Sequence, residues 1–305
     1  MISTVPFTAT ADLDLGNRIT PYLVEASADV DIREGIVPER LPEAHLHEPA
    51  YDVGDGAFLL RVPNGVRLLV EDGSRITYHR AGNSDGEIAL FLTGSAWGAL
   101  CYQRGLLPLH ASGISLDGKI YAFTGPSGAG KSTIAAGLGK AGFDFFTDDI
   151  VILDPATAGD QVTAYAGQRD LKLWDDAIAM TASDTLQPVR AGHDIPKFYS
   201  TPATGDGPTS GPLAKMIVLA RTKETAGQER LHDVQLLDGP KSLLVLRNNV
   251  YRSRFAEAIW GRQRFFQTLT QMLGMFEIYT FRRLFLPEHF DDSIAAMADW
   301  LRENS

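Results

Sequence analysis

The stretch KIYAFTGPSGAGKSTIAAGLGK, residues 119–140, decides the fold. An apolar, β-branched and aromatic run leads into glycines, and a helix-forming run follows. Residues 125–132, GPSGAGKS, satisfy G-x-x-x-x-G-K-[ST] at every fixed position. Gly125, Gly128 and Gly130 allow the backbone to curl and to aim successive N–H groups inward. A helix opening near Ser132 adds the positive end of its dipole. The pattern therefore reads as a phosphate cradle running from Gly125 through Ser127, Gly128, Ala129 and Gly130 to Thr133. Lys131 is placed to reach the β- and γ-phosphates of a nucleotide, and the Ser132 hydroxyl to enter the shell of a Mg²⁺ ion. The implied ligands are ATP and Mg²⁺, with pyrophosphate or another nucleotide left open as donor.

Outward from the cradle the chain alternates strand and helix, which implies an α/β layer. Ile134 and Leu138 lie four apart and share one helix face. FDFFTDDIVILD (143–154) returns as a strand carrying the adjacent carboxylates Asp148 and Asp149. One of them can hold Mg²⁺ and the other can accept a proton from an incoming hydroxyl. Further strands are expected at 214–220, at 229–237 and near FEIYTF, with helices at 240–247, 253–273 and 288–303. TPATGDGPTSGP (201–212) reads as a loop, either a lid over the site or a surface insertion. Upstream, 57–62, 66–70 and 75–79 read as strands separated by Pro63-Asn64-Gly65 and Asp72-Gly73. The uncharged run Ile88–Gln103 is too short for a membrane span and reads as a buried helix ending near Gly105. The expected organisation is a β-rich N-terminal module, 1–105, and a P-loop domain, 106–305.

Composition narrows the class. The chain has 305 residues, is 44% hydrophobic and 22% charged, and carries a net charge of -10. Such an acidic balance argues against a nucleic-acid partner. The single cysteine, Cys101, excludes an internal disulfide or a cysteine zinc cluster and reads as a small buried hydrophobe. The N-terminal residues lack the basic flank and apolar core of a signal peptide. A soluble cytoplasmic protein with no membrane partner is the expectation.

The order of motifs then carries a resemblance. LPLHASGISLDGKIYAFTGPSGAGKSTIAAGLGKAGFDFFTDDIVIL resembles the catalytic core of the HPr kinase/phosphorylase family and its shorter relatives. Leu109-His110, the loop Gly125–Thr133 and Asp148-Asp149 follow one another as they do there. The resemblance implies an α/β P-loop kinase core of the HPr kinase type, which moves the γ-phosphate of ATP to a serine-type hydroxyl. It implies that His110 lies beside the transferred phosphate, that Asp149 is the acid/base, and that Asp148 with Ser132 holds the metal. GQRDLKLWDDAI (167–178) is similar to a segment of the shorter relatives, in which Arg169 or Lys172 would face the phosphates. Thr133 stands where the HPr enzymes commonly carry Glu, and their glycine-rich phosphorolysis region is not found. The implied acceptor is a serine on a peptide or protein, including ribosomally made peptides. A small hydroxylated metabolite as acceptor, and a nucleotide-gated binding module with little turnover, stay open beside it.

Remaining features read as follows. Arg247, Arg252, Arg254, Arg262 and Arg264 either hold an acidic partner or form a solvated face. Lys197 is a further candidate for the site. His45 and His47 read as surface residues rather than metal ligands. The aromatic run 264–281 either packs in the core or forms a subunit contact in an oligomer. No LSGGQ-like segment of a transport ATPase occurs.

Overall fold

The computed structural model describes residues 5–157, 159–181, 183–189, 196–204, 207–222, 232–284 and 286–305. Its chain divides into two compact units: Met1–Pro108 with Val250–Thr268, and Leu109–Asn249 with Leu269–Ser305.

In the first unit, short strands with contiguous buried apolar runs, such as 58–60 and 68–70, build a seven-stranded sheet. Five strands, Ala44–His47, Tyr51–Gly54, Ala57–Arg61, Arg67–Glu71 and Arg75–His79, form an antiparallel meander. Val30–Glu34 and then Ala9–Ala11 extend it in parallel. The uncharged run is helical, as its composition suggests, but in three pieces. Asp85–Phe91 and Trp97–Gln103 are α-helical, and Leu92–Ala96 between them is a π turn. Trp97 is fully buried and meets Phe7 and Tyr22, with ring centroids 5.1 Å from each. The expected helix 253–273 is broken at Gly261 (φ 79) into Ser253–Trp260 and Arg262–Met272. Phe255 of the first piece packs on Tyr51 and Phe58 at 4.8 and 4.6 Å. No described helix is long and apolar enough to cross a membrane.

The second unit is mixed α/β. Lys119–Thr124 pairs antiparallel with Ala111–Leu116, and that strand pairs antiparallel with Asp144–Asp154. Asp144–Asp154 pairs with Thr163–Gln168, which pairs with the start of the long strand Ser210–Thr222. Farther along, Ser210–Thr222 runs parallel to Lys119–Thr124, so the pairing closes on itself. Glu277–Leu284 adds a third parallel strand and His232–Leu236 an antiparallel edge. The strand expected at 229–237 is thus seen from His232; residues 229–231 lie outside the described residues. The expected loop 201–212 is shorter than its composition suggested. Ser210–Pro212 already pair in the ladder, because Gly211 fits where a Cβ would meet the Gly118 carbonyl at 2.8 Å.

The helix Lys131–Lys140 packs Ile134 and Leu138 into the core, against Phe123, Ile217 and Phe281. The helix Phe290–Glu303 crosses it at Gly137, where a Cβ would lie 2.4 Å from Ile294. That close approach fixes Phe290 beside the start of the loop helix.

The paired histidines of the first unit meet different partners. His45 reaches the Ala258 carbonyl, and His47 lies 3.2 Å from the buried carboxylate of Asp52. Asp52 is also gripped by both guanidinium nitrogens of Arg61 at 2.9 Å, by Arg40 at 2.8 Å and by the Leu41 N–H at 3.0 Å. Burial alone would raise this carboxyl; the bonds from Arg61, Leu41, His47 and Arg40 outweigh it and hold Asp52 well below the usual range. A depressed pKa means the stabilisation is full above the ordinary carboxylate range and is lost as pH falls through it. Asp52→Asn is expected to lower unfolding free energy at neutral pH by about 1.5–3 kcal/mol. The gap to the unmodified chain should narrow below about pH 4, as read by urea unfolding across pH. A gap independent of pH would contradict the assignment.

Candidate active site

The glycine-rich loop joins the end of one parallel strand to the start of a helix. Gly125 (φ 141), Gly128 (φ 76) and Gly130 (φ 85) hold conformations that other residues resist. At Gly125 space is forbidding as well, since a Cβ would sit 2.8 Å from the Leu219 carbonyl of the neighbouring strand. Lys131, 8% exposed, donates to the Gly125 carbonyl at 3.1 Å and folds over the loop. Burial pushes its ammonium down, while Asp148 and Asp149 oppose the shift. Two arginines sit at the ends of the other parallel strands: Arg221 bonds the Gly128 carbonyl, and buried Arg283 bonds that of Ala129 at 3.2 Å. Burial, with Arg221 nearby, lowers Arg283 to about 10.

The two aspartates come from the antiparallel strand Asp144–Asp154. In a regular strand neighbouring side chains point to opposite faces. Here the ladder to Thr163–Gln168 shifts register between Asp148 and Val151, and Asp149 takes φ 68. The resulting bulge lets both carboxylates reach one cavity. Its broken backbone bonds are replaced by the Thr147 hydroxyl, which accepts from Gln168 N–H at 2.9 Å and Gly167 N–H at 3.1 Å. Gly167 is required opposite, because a Cβ there would meet the Ile150 carbonyl at 2.4 Å.

Asp148 is buried and accepts from Ser132 Oγ at 2.9 Å, Ser112 Oγ at 2.5 Å and the Lys172 backbone N–H at 3.0 Å. Asp149 is met by His110 Nδ1 at 3.2 Å and Lys172 Nζ at 3.4 Å. Burial alone would raise the Asp149 carboxyl; Lys172 and then His110 overcome it and hold the group well below the usual range. Lys172 is itself steadied by Gln168 Oε1 at 2.6 Å. His110 is tied through its backbone N–H to the Asn249 carbonyl at 2.8 Å, and Thr124 Oγ1 links its carbonyl to the Asn249 side chain.

These groups line a cavity of about 760 Å³ that includes His110, Ser127, Lys131, Ser132, Asp148 and Asp149. Gly128, Gly130 and Thr133 line it too. Gly125 and Ala129 act differently: Gly125 closes the loop at its base, and the Ala129 methyl lies in the core, 3% exposed. Of the two cations expected near the phosphates, Lys172 lines the cavity and Arg169 does not. The Arg169 guanidinium clamps the Phe146, Gly207 and Pro208 carbonyls. Lys197 lines the rim beside Trp174, with its ammonium 5.9 Å from that ring. Arg247 does not line it, and Arg252, Arg254, Arg262 and Arg264 belong to the first unit.

Of the two readings of 201–212, a lid or a surface insertion, the described residues do not support the lid. Thr204 bonds the Phe143 carbonyl and the Phe145 N–H, and Gly207 lies against the Phe145 carbonyl, at the far end of the loop helix. Arg221, Arg283, Ser112 and Gln168 were not singled out in the sequence. Only the two arginines had a usable signal, closing the apolar runs AKMIVLAR and FEIYTFRR.

The donor set fits a triphosphate and a hard divalent ion. The first N–H groups of a helix have no partner within it, and this helix starts at Lys131, beside a cavity edged by Lys131, Lys172, Lys197 and Arg221. Ser132 and Asp148 present oxygen donors of the kind Mg²⁺ takes.

No protein-family model matches the chain, and no curated protein matches it. Among solved structures, the HPr(Ser) kinase/phosphatase from Coxiella burnetii is similar at 12% identity, over 64% of this chain and 88% of that chain, with a TM-score of 0.33. A likeness at that score carries no further argument.

Gly125→Ala should weaken triphosphate binding by at least about tenfold, since strain of about 1–3 kcal/mol falls on the loop itself. Calorimetric titration with ATP and Mg²⁺ reads the loss, and circular dichroism checks that the fold is retained. Unchanged affinity would remove the loop from the site.

Proposed function

We propose that the chain is an ATP-dependent kinase of the HPr kinase type, transferring the γ-phosphate to a serine-type hydroxyl of a peptide or protein. The observation that carries the reading is the pair of neighbouring carboxylates held by different partners over one glycine-rich loop. Asp148 lies on Ser132, and Asp149 lies on His110 and Lys172. The order of Leu109-His110, the loop and Asp148-Asp149 in the sequence supports the same reading. Trp174, 45% exposed at the cavity rim, offers apolar surface to a polypeptide acceptor.

Ser127, Gly128, Gly130, Lys131, Ser132 and Thr133 bind the phosphates, while Gly125 and Ala129 shape the loop. Ser132 and Asp148 hold Mg²⁺, which when bound offsets phosphate charge. The acceptor oxygen bonds to the γ-phosphorus as the bond to the β,γ-bridging oxygen breaks, and ADP leaves. Asp149 orients the hydroxyl and takes its proton; His110 lies beside the transferred group and steadies Asp149. Lys131 and Lys172 stabilise charge spreading over the phosphoryl oxygens.

Asp149→Asn should reduce transfer by about 10²–10⁴-fold while ATP binding survives. The assay follows labelled γ-phosphate after mixing protein, Mg²⁺ and a cell extract. Label on a protein or peptide supports the reading, label on a metabolite replaces the acceptor class, and label only in free phosphate favours a nucleotide switch. Equal transfer by Asp149→Asn would sink the role of that residue.

Acidity supplies a separate check. Because Asp149 is held below the usual carboxylate range, it stays ionised as pH falls through that range. Once protonation of the nucleotide is allowed for, kcat/KM should therefore show no step at an ordinary carboxylate midpoint, about pH 4, wherever the fold survives. A fall with an ordinary carboxylate midpoint would contradict Asp149 as the ionised acceptor.

A further inference from the structure

A second pocket, of about 150 Å³, opens beside the phosphate cavity, and Thr133, Asp176 and Met180 line both. The two spaces therefore adjoin across these three residues. The second is lined by Phe290 and Pro287, which begin the last helical segments, and by Arg283. Arg283 is 3% exposed and fixed on the Ala129 carbonyl, so it presents a set plane rather than a mobile charge. Phe290 is set in turn by the crossing of its helix at Gly137.

We propose that this pocket receives the base of a purine nucleoside triphosphate and so selects the phosphoryl donor. The inference rests on the proposed function only in requiring a triphosphate on the glycine-rich loop. Direction follows from the loop itself. His110, Asp149 and Lys172 mark the end where the terminal phosphate reacts, and Lys131 meets the β- and γ-phosphates. Thr133, two residues into the helix, marks the other end, where the α-phosphate leads to the ribose. That end opens into the second pocket.

The lining suits a flat heteroaromatic ring. Phe290 and Pro287 give apolar faces, the Met180 thioether adapts to a ring edge, and a guanidinium stacks on a π-system. Asp176 uses Oδ1 to accept the Ala177 N–H at 2.8 Å. Its carboxylate supplies acceptors for an exocyclic amine such as adenine, guanine and cytosine all carry, so the purine preference rests on the larger ring area available for stacking. Leu286, 38% exposed at the mouth, closes the remaining side without belonging to the core.

The test compares binding of ATP, GTP, CTP and inorganic tripolyphosphate, each with Mg²⁺, to the full chain and to Leu286→Trp. For the unmodified chain, a purine triphosphate should bind at least about tenfold more tightly than tripolyphosphate, the range expected for one stacked base. It should also bind more tightly than CTP. Leu286→Trp, which fills the pocket, should bring ATP to within about twofold of tripolyphosphate, and retained tripolyphosphate binding certifies the folded loop. ATP no tighter than tripolyphosphate in the unmodified chain would overturn the base pocket and leave the kinase reading standing. CTP as tight as ATP would overturn the purine assignment, and an undiminished ATP preference in Leu286→Trp would place the base elsewhere. Binding of neither ATP nor tripolyphosphate would overturn the loop reading and this inference together.

Discussion

The site depends on one local break in a β-ladder. Two successive carboxylates in a regular strand face opposite sides of a sheet. Asp149 in the left-handed region, with the register shift up to Val151, turns them toward one cavity. The cost of that backbone, about 1–3 kcal/mol, is offset by the Thr147 hydroxyl, which takes over the unpaired groups of Gly167 and Gln168. Gly167 leaves the room, Gln168 anchors Lys172, and Lys172 meets Asp149. Remove the bulge, and Asp148 on Ser132 and Asp149 on His110 are no longer held at once.

Strand polarity does the rest. Three parallel strands, Lys119–Thr124, Ser210–Thr222 and Glu277–Leu284, end on the same side. The first delivers the loop, and the other two deliver Arg221 and Arg283 to the carbonyls of Gly128 and Ala129. These bonds fix the carbonyls of Gly128 and Ala129, and Ala129 N–H is held within the loop by the Pro126 carbonyl at 3.1 Å. A cradle whose carbonyls lacked such donors would be free to flip its peptide planes, and an anion would then meet oxygen instead of hydrogen. The same strand ends carry the wall of the second pocket, so one set of elements serves both the phosphates and the neighbouring space.

Much of this was legible because the signals were local. The loop letters, the strand before them and the shared face of Ile134 and Leu138 all sit within one short stretch. Asp148 and Asp149 were visible as a pair for the same reason. Long-range packing was not visible. Arg169 and Lys172 differ by three positions, and only the clamp on Phe146, Gly207 and Pro208 separates the structural cation from the one in the cavity. Composition suggested a loop through 212, yet glycine and proline there serve a strand, since Gly211 lets Ser210–Thr222 approach Gly118 closely. The break at Gly261 shows the converse: one glycine in an otherwise helical run ended a helix that periodicity would have continued.

The low pKa of Asp149 bears on how it would act. A carboxylate held far down by Lys172 and His110 is a poor proton acceptor toward a free alcohol, and strong general-base assistance favours a pKa near the working pH. A loose phosphoryl transfer relaxes that demand, because the attacking oxygen gains little bond order and little acidity until the transition state is nearly passed. What the step then needs first is orientation of the hydroxyl, and an ionised acceptor fixed by two partners provides it at any pH where the chain is folded. The proton moves late, when the oxygen bonded to phosphorus has become acidic enough for even a weak base to take it. On the proposed reading the cations around Asp149 would not oppose its function: they keep it charged and in place, and Lys172 would lie beside the phosphate oxygens where negative charge gathers.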